Sequence, residues 1–404
     1  MTDTVSVTID KTAVDLPSFD LEAFQLAPYS FYAAAREQAP IFWSARHRQY
    51  IALGATAVRG CLQSPDFIVD SPFRASRRLF GRTIVDVDGR EHTRLRAIAN
   101  KGFVPPRYDS YKARYVIPII AELADALAAS GGGDFVADFA DPIPSRIMAH
   151  VIGIPVSRYR DFHRLSSPII AFLDTASPQR LATARAAFNE LKEIVLPVIA
   201  EKLAAPDETI IGELAGANAN GEDISYDEIV RQVGLMIPAA IDTTNRLVAN
   251  ALHILAAHPQ WQDRLAEDEA LIAAFVEEVM RFEPPIHTSV RICARDTVVE
   301  GCAMEKGSLV NVFFGAANRD PAHFSNPDRF DPERPELRRH LSFGGGKHQC
   351  MGRFFAVIEV AEAIRAIVAR GRIAFATANP APIEGAAFRS PARLDLTFVK
   401  RGHQ

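Results

Sequence analysis

The stretch Phe343-Gly344-Gly345-Gly346-Lys347-His348-Gln349-Cys350-Met351-Gly352 holds the residue types best suited to chemistry in this chain. Three consecutive glycines exclude a helix or strand interior. They let the backbone turn tightly and approach a flat object closely. Cys350 falls at the mouth of a helix expected over 351–370. The unpaired N–H groups and partial positive charge of a helix N-terminus favour a thiolate. The stretch therefore reads as a cradle that presents one ionised sulfur, and a lone thiolate presented this way suits a haem iron. A single cysteine is more often a small buried hydrophobe, so other residues have to carry the reading.

Several further groups could do chemistry. His92 and Arg96 lie four apart in a helix expected from Asp88-Gly89 toward Phe103. They share one face, where a cationic pair can clamp a carboxylate. Asp242-Thr243-Thr244-Asn245 sits in a long helix that begins at the capping box Ser225-Tyr226-Asp227-Glu228 and runs to about Ala257, roughly 48 Å. The middle of that helix, 233–241, is apolar nearly all round and is expected to be buried. An acid beside two hydroxyls in that setting needs partners or a task, the plain alternative being a satisfied polar network or a kink. Pro238 cannot donate to the preceding turn and is expected to distort the helix just before Asp242. Glu278 and Arg281 form an i,i+3 pair of opposite charge, a pattern common to helices in general. Phe73–Arg82 carries Arg74, Arg77, Arg78 and Arg82 between phenylalanines. It could hold an anionic, apolar substrate, and a solvated surface loop is the plainer reading.

The elements that must position these groups are mostly helical. Helices are expected over 31–38, 55–63, 111–129, 143–152, 158–172, 178–202 and 271–282, with breaks at Pro155, Pro168 and Pro206. The stretch 166–178 reads as a mobile cover. Ile41–Trp43 and Tyr50–Ala52 read as a hairpin, 291–294 with 309–313 as a small sheet, and 373–399 as a hairpin-rich end. Residues 1–25 read as a tail. Hydrophobic residues make up 48% and charged residues 23% of 404, so the chain is ordinary for a globular protein. A net charge of −4 gives no basic footprint for nucleic acid. No apolar run approaches the ~18 residues that span a bilayer. Cys61, Cys293, Cys302 and Cys350 show no metal spacing, which suggests a reducing, cytoplasmic setting.

The pattern Phe343-x-x-Gly346-x-His348-x-Cys350-x-Gly352 resembles the proximal haem loop of the cytochromes P-450, the haem-thiolate monooxygenases. Other motifs resemble the same family in order along the chain. His92 and Arg96 match its HxxxR propionate motif, with Gly89-Arg90 where prolines are usual. Ala239-Ala240-Ile241-Asp242-Thr243-Thr244 looks like its acid–alcohol pair, with Ala240 in place of the usual glycine. Glu278-Val279-Met280-Arg281 lies 69 residues before Cys350 and matches ExxR. Asn326-Pro327-Asp328-Arg329-Phe330 matches the loop that braces it, with Arg329 as third member.

The resemblance implies a mainly α fold with small β-sheets. It implies a single triangular domain over 26–404, with haem between the long helix and the cysteine loop. Cys350 would ligate the iron of haem b. His92, Arg96, Arg291 and His348 would hold propionates, with Phe343 and Gly352 shaping the loop. Asp242 and Thr243 would relay protons to iron-bound O2. Arg77, Arg78, Ala239, Ala240, His287, Val290 and Phe388 would line the pocket of a small, largely apolar substrate. Electrons would come from a separate ferredoxin and its reductase, hence indirectly from NAD(P)H, to a monomer with no membrane and no nucleic-acid partner. A peroxide-driven peroxygenase, an O2-independent isomerase and a non-enzymatic haem-thiolate sensor are the rivals.

Overall fold

The structure is a computed structural model, and it describes residues 15–401. Helices dominate and strands are few and short. The local signals are realised where they were strong. The Ser225 hydroxyl accepts from the Glu228 N–H at 3.3 Å, and the Glu228 carboxylate accepts from the Ser225 N–H at 2.8 Å. From that box the helix Tyr226–Ala257 runs 32 residues. It continues as α-helix through Pro238, with no π-helical or 3-10 turn inserted there. Packing against Pro142–Ile152, Tyr159–Asp174, Pro178–Ala204 and Arg353–Arg370 outweighs one missing hydrogen bond.

The contacts group the chain into two compact units, each assembled from three stretches of sequence. The first takes residues up to Asp70, Met280–Cys350 and Glu384–Arg389. Its sheet has five strands in the order Ile41–Ser44, Gln49–Ala52, Leu309–Phe313, Thr288–Cys293 and Phe67–Ile68. The hairpin pairs Ile41 with Ala52, and Gln49–Ala52 runs parallel to Leu309–Phe313, with Tyr50 opposite Val310. Thr288–Cys293 closes antiparallel on Leu309–Phe313, with Arg291 opposite Val310. One apolar cluster, including Val58, Cys61, Cys293 and Val312, packs on this sheet.

A second cluster joins Leu16, Phe24, Tyr32, Ile51 and Phe313. That corrects the expected tail. Residues 1–14 lie outside the described part, but Leu16 is 1% and Phe24 0% exposed, and Glu22–Leu26 is a helix. Two apolar side chains spaced to reach the sheet anchor what composition alone suggested was loose.

The second unit takes Ser71–Val279, Met351–Ile383 and Ser390 onward. It is helical around Tyr226–Ala257, with a small sheet of Gly132–Asp134, Asp395–Lys400 and Gly371–Phe375. Four expectations change here. Pro168 lies inside the helix Tyr159–Asp174 and does not end it. The supposed cover at 166–178 is therefore mostly helix, with Ser166, Ile169, Ile170 and Phe172 buried. The arginine stretch is not a loop: Ala75–Phe80 is a short helix. The helix after the cysteine starts at Arg353, so Cys350 stands just ahead of it and not on its first turn.

Candidate functional site

In the sheet-bearing unit the cysteine loop is pinned by backbone. Cys350 N–H donates to Phe343 O at 2.9 Å, Gly344 N–H to Leu341 O at 2.8 Å, and Gln349 N–H to Gly346 O at 3.2 Å. Gly344 and Gly346 hold φ of 68° and 66°, the left-handed region. A Cβ on Gly346 would overlap the Leu62 carbonyl oxygen, so the loop rests directly on the helix Ala55–Gln63. Asn318 ties it from behind. Its Oδ1 accepts from Leu341 N–H at 2.7 Å and its Nδ2 donates to Ser342 Oγ at 2.7 Å, while the Ser342 hydroxyl donates to Met280 O at 2.6 Å. Cys350 itself is exposed, with Phe343 and His348 half-buried.

Arg281 braces this frame. It is fully buried, and its guanidinium donates to Asn318 O at 3.0 Å, Pro327 O at 2.8 Å and Arg329 O at 3.1 Å. Glu278 is equally buried on the same helix, Leu271–Phe282. Arg329, expected as the third charged member, contributes its carbonyl and leaves its side chain exposed. The buried arginine beside it is Arg334, which also donates to Arg329 O at 2.7 Å and to Ser325 O at 2.8 Å. The motif identifies the loop but not which of its arginines turns inward.

Arg291 is 5% exposed and donates to Ser289 Oγ and Val290 O, each at 3.0 Å. Val290 and Phe388 are half-buried, and Phe388 bridges to Ile286. His287 does not line a pocket. It is fully buried, with Nε2 3.2 Å from Tyr29 Oη and Nδ1 3.3 Å from Tyr32 Oη. A Cβ on Gly315 would come within 2.6 Å of Nδ1. Below it, Arg389 Nε donates to Glu283 Oε1 at 2.9 Å. The Arg319 guanidinium lies between the rings of Tyr29 and Phe282, 3.9 and 3.6 Å from their centroids. Burial alone would raise Glu283, but Arg389, His287 and Arg319 override it and hold the carboxyl at about 2. Burial pushes His287 down to about 4, against the pull of Glu283, so the ring is neutral at pH 7. No local pattern announces this cluster, because Tyr29 and His287 lie 258 residues apart.

In the helical unit the candidate acid is clamped. Arg246 Nε donates to Asp242 Oδ2 at 2.7 Å and Nη2 to Oδ1 at 3.2 Å, while Nη1 donates to Ser390 Oγ at 3.0 Å. Arg246 is one turn beyond Asp242, so the i,i+4 spacing was there to be read. Thr243 Oγ1 donates to Ala239 O at 2.8 Å, a bond available to a threonine in any helix. Most of this helix is buried, yet Ala239 is exposed and Ala240 and Thr243 are half-buried. Those three share one face, so the helix is open where the acid–alcohol motif lies. On the helix Gly89–Ala99, His92 is buried and Arg96 half-buried. Arg94 is taken by Glu228 at 2.5 Å and Asp223 at 3.4 Å, and Lys101 by Glu222. Arg77 donates to Asp86 O at 3.2 Å and Arg74 pairs with the Asp86 carboxylate at 3.3 Å. These two brace the turn after their own helix. Only Arg78 is exposed, 5.9 Å over the Phe172 ring.

The arrangement fits a haem. A soft sulfur donor stands exposed on a loop whose left-handed glycines bring bare backbone against its support, and a buried arginine lies in the same unit. Comparison with known proteins agrees. The sequence model of the family described as cytochrome P-450 matches residues 147–384, more than half of the chain. The chain is 28% identical to the C-19 steroid 1alpha-hydroxylase of Sorangium cellulosum over 88% of its own length and 89% of that protein's. It is also 28% identical to the 6-deoxyerythronolide B hydroxylase of Saccharopolyspora erythraea, over 88% and 91%. Among solved structures, P450BioI in complex with hexadec-9Z-enoic acid ligated acyl carrier protein superposes with a TM-score of 0.87 at 27% identity. It covers 94% of this chain and 99% of that one. The chain belongs to the cytochrome P-450 family. It has that fold, and its class is that of a monooxygenase, an oxidoreductase using haem and O2. Among the described residues no helix is long and apolar enough to cross a membrane.

Proposed function

We propose that this enzyme inserts one oxygen atom from O2 into a largely apolar organic substrate, with Cys350 as the thiolate ligand of haem b. The carrying observation is the exposed Cys350 on a loop fixed by backbone bonds and by Gly346 against Leu62. When bound, the haem supplies O2 activation, and the thiolate's electron donation favours O–O cleavage. The protein's own residues do the rest. Arg291, His348, His92 and Arg96 supply the cationic groups for the propionates. Asp242 and Thr243 handle protons at the open turn in the middle of the long helix. Ala239 and Ala240 beside them present small apolar surface to a substrate, with Val290 and Phe388 as further lining candidates and Arg78 as a candidate for an acidic group.

The relatives' names point to bulky apolar substrates: a steroid in one, a hexadecenoic acid carried on a protein in another. A ferredoxin-type donor supplies electrons drawn from NAD(P)H. In support, Arg338, Arg339 and Lys347 are exposed in the cysteine-bearing unit, and a basic surface suits an acidic protein. Because each unit is assembled from separate stretches of chain, the two are proposed to fold together as one domain that includes Leu16 and Phe24, in the cytoplasm.

The reduced, carbon monoxide-bound spectrum tests the ligand. The wild type is expected to show the shifted Soret band of a thiolate haem and Cys350→His the unshifted band. An unshifted band in the wild type would remove the assignment. A spin-state titration with steroids, fatty acids and aromatic acids then reads the substrate class.

A further inference from the structure

Asp242 has both oxygens on Arg246, so any proton it delivers has to be replaced from elsewhere. The same helix face supplies a lead. Asn245 lies one turn from Asp242, and its Nδ2 donates to Asp141 Oδ1 at 2.8 Å. The other oxygen of Asp141, Oδ2, lies 3.3 Å from His163 Nε2, whose side chain is 41% exposed. Asp141 sits at the start of Pro142–Ile152 and His163 on Tyr159–Asp174, both helices packed on the long one. Asn245 Oδ1 is buried and no protein group donates to it, and the same holds for Ser166 Oγ, one turn beyond His163. Two unsatisfied polar atoms in such a seam call for ordered water.

We propose that His163 and Asp141 form the route by which solvent protons reach Asp242, with Asn245 as the positioning residue. This rests on the reading of Asp242 as the proton-handling acid. His163 takes a proton from solvent on Nδ1 and gives one from Nε2 to Asp141 Oδ2. Asp141 passes one to a water held on Asn245 Oδ1, and that water passes one to Asp242. Each inner donor is refilled from its outer neighbour, and the neutral His163 ring resets by turning its protonated nitrogen back toward Asp141. A carboxylate oxygen has two lone pairs, so Asp242 accepts the proton without leaving Arg246. The groups facing Asp141 suit a shuttle. Burial raises its carboxyl, His163 and Asn245 oppose the rise, and Asp242 and Asp134 add to it. Its protonated form is thus brought closer to neutral pH than that of an ordinary aspartate.

The test uses His163→Gln, Asp141→Asn, Asn245→Leu and Asp242→Asn in the haem-loaded protein. In the resting protein, an infrared pH titration should show a carboxyl band that vanishes in Asp141→Asn. Its midpoint should move up in His163→Gln and Asn245→Leu. A band that ignores both changes means the three groups are not linked and overturns the route. In turnover, His163→Gln and Asp141→Asn should each lose about tenfold in product formed per electron pair. The loss should deepen from about pH 6 to 9, with a larger solvent isotope effect, and the double variant should be no worse than Asp141→Asn. Substrate-induced spin shifts should stay as in the wild type. A purely structural role would leave the pH profile and isotope effect unmoved, and that result in both variants overturns the proposal while Asp242→Asn still loses coupling. If Asp242→Asn keeps full coupling, the acid–alcohol reading itself falls, and the route with it.

Discussion

The cysteine loop and the Asp242 turn lie in different units and are held by different physics. Around Cys350 nearly every restraint ends on backbone: the carbonyls taken by Arg281 and Arg334, the amides of 341–350, and the Leu62 carbonyl beneath Gly346. Backbone groups do not titrate, so this geometry is independent of pH. Around Asp242 the restraints are side chains: Arg246, Ser390, Asn245, Asp141 and His163. Such a network can change protonation state and still keep its shape. A metal ligand calls for the first kind of support and a proton path for the second.

The largest expected effect comes from removing the backbone brace. Arg281→Ala removes the donor to the carbonyls of Asn318, Pro327 and Arg329, the last of which keeps Arg334, and should cost about 4 kcal/mol in urea unfolding. Arg281→Lys should recover only part, because an ammonium cannot reproduce the guanidinium fork. Arg329→Ala, by contrast, should stay within about 0.5 kcal/mol, since only its carbonyl is used. Equal losses at 281 and 329 would show that the exposed guanidinium matters and would break the account of this frame.

A smaller effect separates the glycines of the cysteine loop. Gly346→Ala forces an L residue to φ near 66° and against the Leu62 carbonyl. About 2 kcal/mol is expected, with a fraction of the reduced carbon monoxide band moving to the unshifted position. Gly352→Ala should be nearly silent in the unfolding curve, because φ there is −81° and no atom lies within 4 Å of an added Cβ.

These contrasts also show what the sequence could convey. Short-range devices were legible: the Ser225–Glu228 box, the hairpin 41–44 with 49–52, and the helix Leu271–Phe282 match their local signals closely. So was the cysteine loop, whose glycines have no role except conformation. Clamping of Asp242 by Arg246 is equally local, an i,i+4 pair legible from spacing alone. The long-range partners were out of reach. Nothing near His287 announces Tyr29 and Tyr32, more than 250 residues earlier, and nothing near Asp141 announces Asn245, 104 residues later. Burial of Leu16 and Phe24 depends on a sheet whose strands come from both ends of the unit.

The last prediction sets one buried group of each unit against the other. His287 has its folded pKa depressed to about 4 from 6.5, so the unfolded chain binds its proton first as pH falls. Its stabilising contribution is complete above pH 6.5 and is lost between 6.5 and 4. His150 and His258, pushed down by burial, act in the same sense. Glu359 is the opposite case. It is 1% exposed, its Oε2 has no partner, and burial raises its carboxyl from 4.5 to about 8. The folded state holds that proton longer, so the stabilising contribution is complete below pH 4.5 and is lost as pH rises toward 8. Each slope is at most about 1.4 kcal/mol per pH unit. If both units unfold in one transition, the two slopes oppose between pH 4.5 and 6.5, and only the Glu359 loss remains from 6.5 to 8. Urea midpoints should therefore fall in the upper window, while in the lower one the histidine losses and the Glu359 gain oppose each other. Glu359→Gln should remove the fall above pH 6.5 and leave the acid limb of His287 intact. Two separate transitions, one with each pH dependence, would instead show the units unfolding independently and would end the single-domain proposal.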